Sequence, residues 1–163
     1  MKERKGEHPW GDSGQLLLLV VFTVIWVSDT FVYHWSTFLA ARVPQAIRMG
    51  LLTLALLATF LLIRTGHVVI SGKERPNHVV DTGAFHFVRH PLYLAALLAY
   101  LGTALSSLSL ISLAVLVPGF LFYDYIASYE ERLLEAKLGQ PYFSYEARTG
   151  KWLPFVGRRA LPL

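Results

Sequence analysis

Two short segments of the sequence carry residue types that could bind a charged small molecule. The first is Thr82-Gly-Ala-Phe-His-Phe-Val-Arg-His-Pro-Leu-Tyr93, in which Pro91 is typical of the first turn of a helix. Arg89 and His90 therefore precede a helix whose free N–H groups suit a carboxylate or phosphate, and Gly83 allows a tight backbone turn. An alternative interpretation is a juxtamembrane arginine that meets lipid phosphates, beside an interfacial belt of aromatic residues.

The second segment is acidic and follows the longest apolar stretch of the chain. Residues 128–139 are typical of a helix that ends at its glycine, and they include the adjacent carboxylates Glu130 and Glu131. Asp124 lies on the same helical stripe as Ser128, Glu131 and Glu135, inside an apolar stretch where ionisable groups are costly and usually face a bundle interior or a wet cavity. The other interpretation of Asp124 is a side chain that reaches the membrane surface from near the helix end.

Three further features carry less information. Asp29 lies in an apolar stretch near His34, and we interpret it mainly as a break at the membrane interface. His86 and His90 are four residues apart but lack the HExxH pattern and straddle a helix start, so no metal site is predicted. The tail 151–159 mixes basic and aromatic residues, which predicts an anchor on the membrane surface.

The composition indicates an integral membrane protein. Of 163 residues, 54% are hydrophobic and only 16% are charged, against about 25% charged residues in an average soluble domain. This balance argues against a disordered chain and against a nucleic-acid-binding surface. The chain contains no cysteine, which excludes disulfides, cysteine-ligated zinc, iron–sulfur clusters and thiol nucleophiles. The length favours one domain.

Apolar stretches predict four membrane helices, because a helix that spans a bilayer needs about 20 apolar residues. Arg64 and Gly66 follow the second stretch and are typical of a helix end. The stretch from Pro91 to Tyr123 would be about 50 Å long as one helix, so it must fold back in a hydrocarbon core of about 30 Å. The predicted helices are 16–35, 46–63 and a short hairpin of 91–105 and 109–128.

Lysine and arginine residues orient these helices. They are frequent before the first helix, in the second connection and after the fourth helix, sparse in the first connection and absent from the hairpin tip. The predicted cytoplasmic parts are therefore the tail 1–15, the loop 64–90 and the helical segment 129–163, with both termini in the cytoplasm and the protein in the cell inner membrane. A loop as long as 64–90 is usually functional or disordered, and its content favours a cofactor-binding function.

Taken together, the two segments resemble the isoprenylcysteine carboxyl methyltransferase family, with which phospholipid methyltransferases share a superfamily pattern. The resemblance covers about residues 78–155 and implies an enzyme at the cytoplasmic membrane face that transfers a methyl group from S-adenosylmethionine to a lipophilic acceptor. The residues that carry it are Thr82-Gly83, Arg89-His90-Pro91-Leu92-Tyr93, Glu130-Glu131, Leu134, Leu138-Gly139, Tyr142, Tyr145 and Leu153-Pro154.

The resemblance also implies a role for each site residue. Arg89, His90 and the helix start would hold the carboxylate of S-adenosylmethionine, and acidic side chains would balance its ammonium and sulfonium groups. Phe85, Phe87 or tyrosines suit its adenine and ribose. The predicted cofactor-binding residues are Gly83, Phe85, Arg89, His90, Tyr93, Glu130 and Glu131, and the predicted catalytic residues are Asp124 and Glu131.

The sequence departs from the family pattern in ways that leave the acceptor open. Members that methylate carboxylates have an arginine about one turn before the paired glutamates, whereas residues 120–129 contain none. Thr149-Gly150-Lys151 stands where a Pro-Arg pair is usual, and Ala95 replaces a glycine. A carboxylate acceptor is therefore disfavoured, and an amine, thiol or hydroxyl head group stays possible.

Two other functions remain as alternatives. A membrane reductase of the sterol-reductase type has a distantly similar C-terminal pattern, but it needs a dinucleotide, and the sequence has no G-x-G-x-x-G motif. A non-catalytic lipid-binding bundle would leave the long charged loop unexplained. The expected partners are a lipophilic or lipid substrate and membrane lipids, with no nucleic acid, and the sequence does not indicate an oligomeric state.

Overall fold

The computed structural model describes residues 11–70 and 78–154, with only the backbone of residues 67–70, as an all-α protein. A π-helical turn, Ser28–Tyr33, continues the first helix, and 3-10 turns lie at Phe38–Ala41 and Gly83–His86. The predicted fold class is confirmed. The helices are α1 (Gly11–Val27), α2 (Gln45–Ile70), α3 (Pro91–Ser107), α4 (Leu110–Leu138) and α5 (Gln140–Glu146).

Within the described ranges, three helical stretches are long and apolar enough to cross a membrane. They are Gly11–Tyr33, Gln45–Gly66 and Leu110–Leu138. The fourth apolar helix, α3, has only 17 residues, or about 25 Å at 1.5 Å per residue. It forms a hairpin with α4, as the length of the third apolar stretch predicted.

The hairpin turns at Leu108 and Ser109, at the predicted boundary between its two helices. Leu108 adopts a left-handed conformation with a φ of 51°. Ser109 then caps α4, because its hydroxyl oxygen accepts a hydrogen bond from the Ser112 amide at 3.1 Å. From this cap α4 runs without a break to Leu138, so the predicted span 109–128 and the helix predicted after it are one element.

Helix α2 packs along α3 through small residues. A Cβ atom on Gly102 would lie 2.5 Å from the Cβ of Ala55, so only glycine permits this approach. Thr59 adds a hydrogen bond from its hydroxyl to the Ala95 carbonyl oxygen, at 3.0 Å. Such contacts are typical of membrane helices, in which close packing replaces hydrophobic burial as the force between helices.

The end predicted for α2 was wrong. The helix continues through Arg64 and Gly66 to Ile70, so the connection predicted as 64–90 starts later, and its residues 71–77 lie outside the described ranges. A Cβ atom on Gly66 would be 3.3 Å from Leu92 Cδ2, which explains the glycine by packing rather than by helix termination. Glycine inside a helix costs only about 1 kcal/mol, and tertiary contacts outweigh it.

The described part of helix α1 starts at Gly11, before the predicted boundary at residue 16. The residues before the apolar stretch are polar. The negative charge of Asp12 in the first turn nevertheless stabilises a helix here, because it lies near the positive end of the helix dipole. Gly14 lets the ring of Phe122 in α4 lie against this turn, where a Cβ atom would clash with the ring. The predicted tail 1–15 is thus partly helical, and its residues 1–10 lie outside the described ranges.

Asp29 is not an interfacial break but the centre of a buried polar cluster, so that expectation was wrong. Its carboxylate accepts hydrogen bonds from the Ser36 amide at 3.0 Å, the Ser36 hydroxyl at 2.5 Å and the Ser109 hydroxyl at 2.6 Å. These bonds join the π-helical turn after α1 to the start of α4. We call Asp29, Ser36, Ser109 and Ser112 the hydroxyl cluster.

Candidate functional site

At the opposite end of α4, the loop before α3 is tied to the chain after α5. Gly83 has a φ of 61°, which starts the 3-10 turn at the position predicted to need a glycine. Val88 forms a parallel bridge with Gly150, and the Arg89 amide donates to the Gly150 carbonyl oxygen at 2.9 Å. The backbone on either side of the Arg89 side chain is therefore fixed by a segment about 60 residues later in the chain.

Helix α5 also holds the loop before α3 in place. Gly139, with a φ of 60°, separates α4 from α5 and turns the chain back towards the loop. Tyr145 of α5 then donates its hydroxyl proton to the Phe85 carbonyl oxygen at 2.7 Å. Burial raises the pKa of both Tyr142 and Tyr145, so both phenols stay neutral near pH 7.

Arg89 and Glu131 form the centre of the site. Their side chains are only 10% and 9% exposed, and Arg89 Nε lies 3.0 Å from Glu131 Oε1. A second carboxylate, Glu146 of α5, is 2.6 Å from the other end of the guanidinium. The Nε–H of Arg89 does not point at an acceptor among the described residues, although its charge is paired. The guanidinium thus keeps one buried donor without an aligned hydrogen bond.

His90 joins this centre to the second glutamate. Its Nε2 lies 3.0 Å from Glu131 Oε1, and because a carboxylate only accepts, Nε2 carries the proton in this contact. Its ring is nearly parallel to that of Tyr93, with centroids 5.6 Å apart. Tyr93 donates its hydroxyl proton to Glu130 Oε1 at 2.9 Å. The first turn of α3 therefore holds both glutamates of α4.

Lys151 and Trp152 complete the site, and sequence reasoning missed them there. Lys151 Nζ lies 2.7 Å from Asp124 Oδ1 and 2.7 Å from the Ser128 hydroxyl, and the Trp152 indole donates to Asp124 Oδ1 at 2.8 Å. The prediction of a membrane-surface anchor was wrong for these two residues, while 155–159 lie outside the described ranges. A basic and aromatic pair fits both an anchor and a buried contact, so only the fold could separate the two.

The structure brings the predicted residues together to different degrees. Asp124 joins the central network through Lys151, whose Nζ is also 3.9 Å from Glu131 Oε2. Gly83 and Phe85 lie in the 3-10 turn beside the network, and Phe85 is engaged through its carbonyl group. Glu146 had no distinguishing sequence signal. The predicted residues in direct contact are Arg89, His90, Tyr93, Glu130 and Glu131.

The network has an excess of acidic groups. Four carboxylates surround two permanent cations, which gives a formal charge of 4 − 2, or two negative charges, when His90 is neutral. The carboxylates belong to Asp124, Glu130, Glu131 and Glu146, and the cations to Arg89 and Lys151. Among the residues that the structure describes, no group of three or more His, Asp or Glu side chains could hold a metal ion.

The apolar helices and this charged site define the class as an all-α integral membrane protein. The family model for phospholipid methyltransferase matches residues 49–140, and the chain belongs to that family. The match begins in α2 and ends at the start of α5, so it includes Arg89, His90 and both glutamates. The predicted resemblance is thereby confirmed.

Two curated relatives extend the comparison. Both matches cover 93 residues, or 55% of this chain. The chain is 29% identical to Protein-S-isoprenylcysteine O-methyltransferase of Saccharomyces cerevisiae. It is 30% identical to Protein-S-isoprenylcysteine O-methyltransferase B of Arabidopsis thaliana. The matched parts span 38% and 46% of those two proteins. No solved structure matches the chain.

Proposed function

We propose that the protein is a membrane methyltransferase that uses S-adenosylmethionine and a lipophilic acceptor at the cytoplasmic membrane face. One observation carries the proposal. Arg89 and His90, which suit a carboxylate, contact Glu131, and Glu130 lies beside them, although the two segments are far apart in the sequence. Groups for binding an anion and groups for binding cations therefore share one small site.

The residues present fit this cofactor. S-adenosylmethionine carries one carboxylate, one ammonium and one sulfonium, so it adds a net positive charge to a site with excess acid. The buried Nε–H of Arg89 has no aligned acceptor within the described residues, and a ligand carboxylate would provide one. An Arg–carboxylate contact of this kind is also strong and directional.

Different side chains bind different groups of the cofactor. Arg89, His90 and the amides at the start of α3 hold the ligand carboxylate, and Glu130 and Glu131 hold its ammonium group. S-adenosylmethionine supplies, when bound, a methyl group whose bond to sulfur breaks with its electron pair left on sulfur as the acceptor forms its own bond to carbon. Glu131 is buried, so it stabilises positive charge where water does not screen it. Alignment and exclusion of water then account for much of the rate.

The acceptor must reach this site from the membrane. On α4, Val117, Phe120 and Leu121 are exposed apolar side chains that precede Asp124 by one or two turns. A lipophilic chain that lies against them would bring its head group to the level of Asp124. The predicted catalytic roles of Asp124 and Glu131, and the predicted side of the membrane, belong to this proposal.

The first experiment measures binding of S-adenosylhomocysteine to the purified protein by isothermal titration. We expect Arg89→Ala to weaken binding at least 30-fold, because the carboxylate loses its main partner. Arg148→Ala is the matched control, since Arg148 lies near the same segment but pairs with Asp81 on the surface. Surface pairs contribute about 0–1 kcal/mol, so this variant should bind normally. Equal affinities for all three proteins would refute the site.

The second experiment identifies the reaction. The protein is incubated with labelled S-adenosylmethionine and total membrane lipids, and the labelled product is isolated. We expect label in a lipid fraction for the wild-type protein and not for Arg89→Ala. Binding of NADPH without binding of S-adenosylhomocysteine would instead favour a reductase, and binding of neither would favour a non-catalytic lipid-binding bundle.

A further inference from the structure

Asp124 lies at the open edge of the site, whereas the central ion pair is buried. Its side chain is 41% exposed, against 9% for Glu131 and 10% for Arg89. A ligand that arrives from outside can therefore contact Asp124 without displacing the central network. The cofactor roles proposed above do not require this carboxylate.

The two oxygens of Asp124 have different surroundings. Oδ1 receives both the Lys151 ammonium at 2.7 Å and the Trp152 indole N–H at 2.8 Å. Both of these contacts, which the structure gives within the described part of the chain, use Oδ1 and leave Oδ2 on the other side of the carboxylate. The carboxylate is thus fixed through one oxygen and presents the other as an acceptor.

Lys151 has little capacity left for a ligand anion. Its three N–H donors have three near partners, namely Asp124 Oδ1, the Ser128 hydroxyl at 2.7 Å and the Asp124 carbonyl oxygen at 3.2 Å. Glu131 Oε2 at 3.9 Å neutralises its charge further. A carboxylate placed here would meet a satisfied ammonium group and several like charges.

Apolar side chains adjoin the Asp124–Lys151 pair on one side. The rings of Phe120 and Trp152 have centroids 5.3 Å apart, and Leu121 and Leu153 beside them are exposed. On the other side, Trp152 lies 6.1 Å from His90, centroid to centroid. Asp124 and Lys151 therefore lie between a surface suited to an alkyl chain and the site proposed for the cofactor.

We propose that Asp124, fixed by Lys151 and Trp152, is the head-group site of the acceptor and selects a head group that donates N–H bonds, a protonated amine above all, over a free carboxylate. This inference rests on the proposed methyltransferase function. Asp124 Oδ2 accepts an N–H bond from the amine, and Oδ1 stays occupied by Lys151 and Trp152. A protonated amine first loses one proton through this exposed carboxylate to water. The nitrogen lone pair then forms the bond to the methyl carbon, and the bond from that carbon to sulfur breaks with its electron pair left on sulfur. Selection thus depends on the pairing of Lys151, which removes the cation that a carboxylate acceptor would need.

The test uses three amphiphiles with the same alkyl chain, dodecylamine, dodecanol and dodecanoate. Their binding to protein saturated with S-adenosylhomocysteine is measured by isothermal titration, which needs no turnover, and methyl transfer to each is measured separately. The wild-type protein should bind the amine at least tenfold more tightly than the carboxylate, with the alcohol between them.

Two variants should shift this ratio in opposite directions. Asp124→Asn removes the acidic partner and frees the Lys151 ammonium, so amine affinity should fall about tenfold and carboxylate affinity should rise, as expected for loss of a charge-assisted contact. Lys151→Gln leaves Asp124 unpaired, so carboxylate binding should weaken further while amine binding is kept or improved. Glu135→Gln, two turns beyond Ser128 on α4, is the control and should leave the ratio unchanged.

The outcomes separate this inference from the function on which it rests. If the wild-type protein binds S-adenosylhomocysteine but prefers dodecanoate, or if both variants bind it and leave the amine-to-carboxylate ratio unchanged, the head-group assignment alone is overturned. If the wild-type protein does not bind S-adenosylhomocysteine, the methyltransferase proposal fails and this inference fails with it. If Asp124→Asn does not fold, the opposite shift in Lys151→Gln still decides the question.

Discussion

Each end of the helix bundle contains an almost fully buried carboxylate, and the two are satisfied in different ways. Counted over the whole residue, backbone included, Asp29 is 2% exposed and Glu131 is 7% exposed. The partners of Asp29 are neutral, since two serine hydroxyls and a backbone amide donate to it. The partners of Glu131 are the charged side chain of Arg89 and the ring of His90.

This difference separates a structural site from a ligand site. Neutral donors fixed by the backbone satisfy Asp29 completely, so a ligand could only disturb the hydroxyl cluster. Around Glu131 the carboxylates outnumber the cations. The Nε–H of Arg89 also has no aligned acceptor among the described residues. A charged ligand can replace some of these contacts at little cost, because the ionic groups still find partners of opposite charge. Burial of a carboxylate therefore does not identify a functional site, whereas the nature of its partners does.

The largest expected effect is on stability at the hydroxyl cluster. Asp29→Ala leaves three buried donors without their acceptor, so the free energy of unfolding should fall by about 3 kcal/mol or more. Thermal unfolding in detergent measures this change, and the folded fraction should bind S-adenosylhomocysteine normally. Asp12→Ala, at an exposed position in the first turn of α1, should lose at most about 1 kcal/mol. A large loss of ligand affinity in Asp29→Ala would break the distinction between the two ends.

At the other end the pattern should reverse. Glu131→Gln preserves shape but removes the charge opposite Arg89 and His90, so affinity for S-adenosylhomocysteine should fall by about 10- to 30-fold, or about 1.4–2 kcal/mol. Stability should change less than in Asp29→Ala, because Glu146 still pairs with Arg89. Titration and thermal unfolding of the same preparation check both statements. Unchanged affinity with a large loss of stability would assign Glu131 a purely structural function.

A third pair of variants tests the packing that positions the site. Gly102→Ala introduces a Cβ atom 2.5 Å from that of Ala55, which should cost about 1–3 kcal/mol of stability. Gly50→Ala on α2 has no atom within 4 Å of the new Cβ, and it should be neutral or stabilise the helix by up to about 1 kcal/mol. Thermal unfolding of the two variants should show opposite signs. Equal shifts would contradict close packing of α2 on α3.

The smallest effect concerns the aromatic residues of α5. Burial raises the pKa of Tyr142 and Tyr145, whereas unfolded tyrosines ionise near pH 10. The unfolded chain therefore loses these protons first, and stability present below pH 10 is lost as the pH rises above it. We expect chemical unfolding to give a constant free energy from pH 7 to 9 and a decrease below about 1 kcal/mol at pH 10. A smaller decrease in Tyr145→Phe would assign part of it to that phenol.

Local rules of the sequence were sufficient for the element types. Apolar length predicted the short hairpin, and Pro91 predicted the start of α3. The same rules failed at Gly66, because glycine can end a helix or let a neighbour approach, and only the position of Leu92 decides which. They failed at Asp29 for a similar reason, since its serine partners are up to 80 residues away.

The sequence by itself determined the membrane class, the order of the helices and the two segments that carry charge, because hydrophobicity and capping act over a few residues. The tertiary structure decided which charges meet. Glu146 reaches Arg89 because Gly139 turns α5 back, and Lys151 reaches Asp124 because Gly150 is paired with Val88. Contacts of this kind depend on the packing of distant elements in three dimensions, which no local pattern of residues encodes.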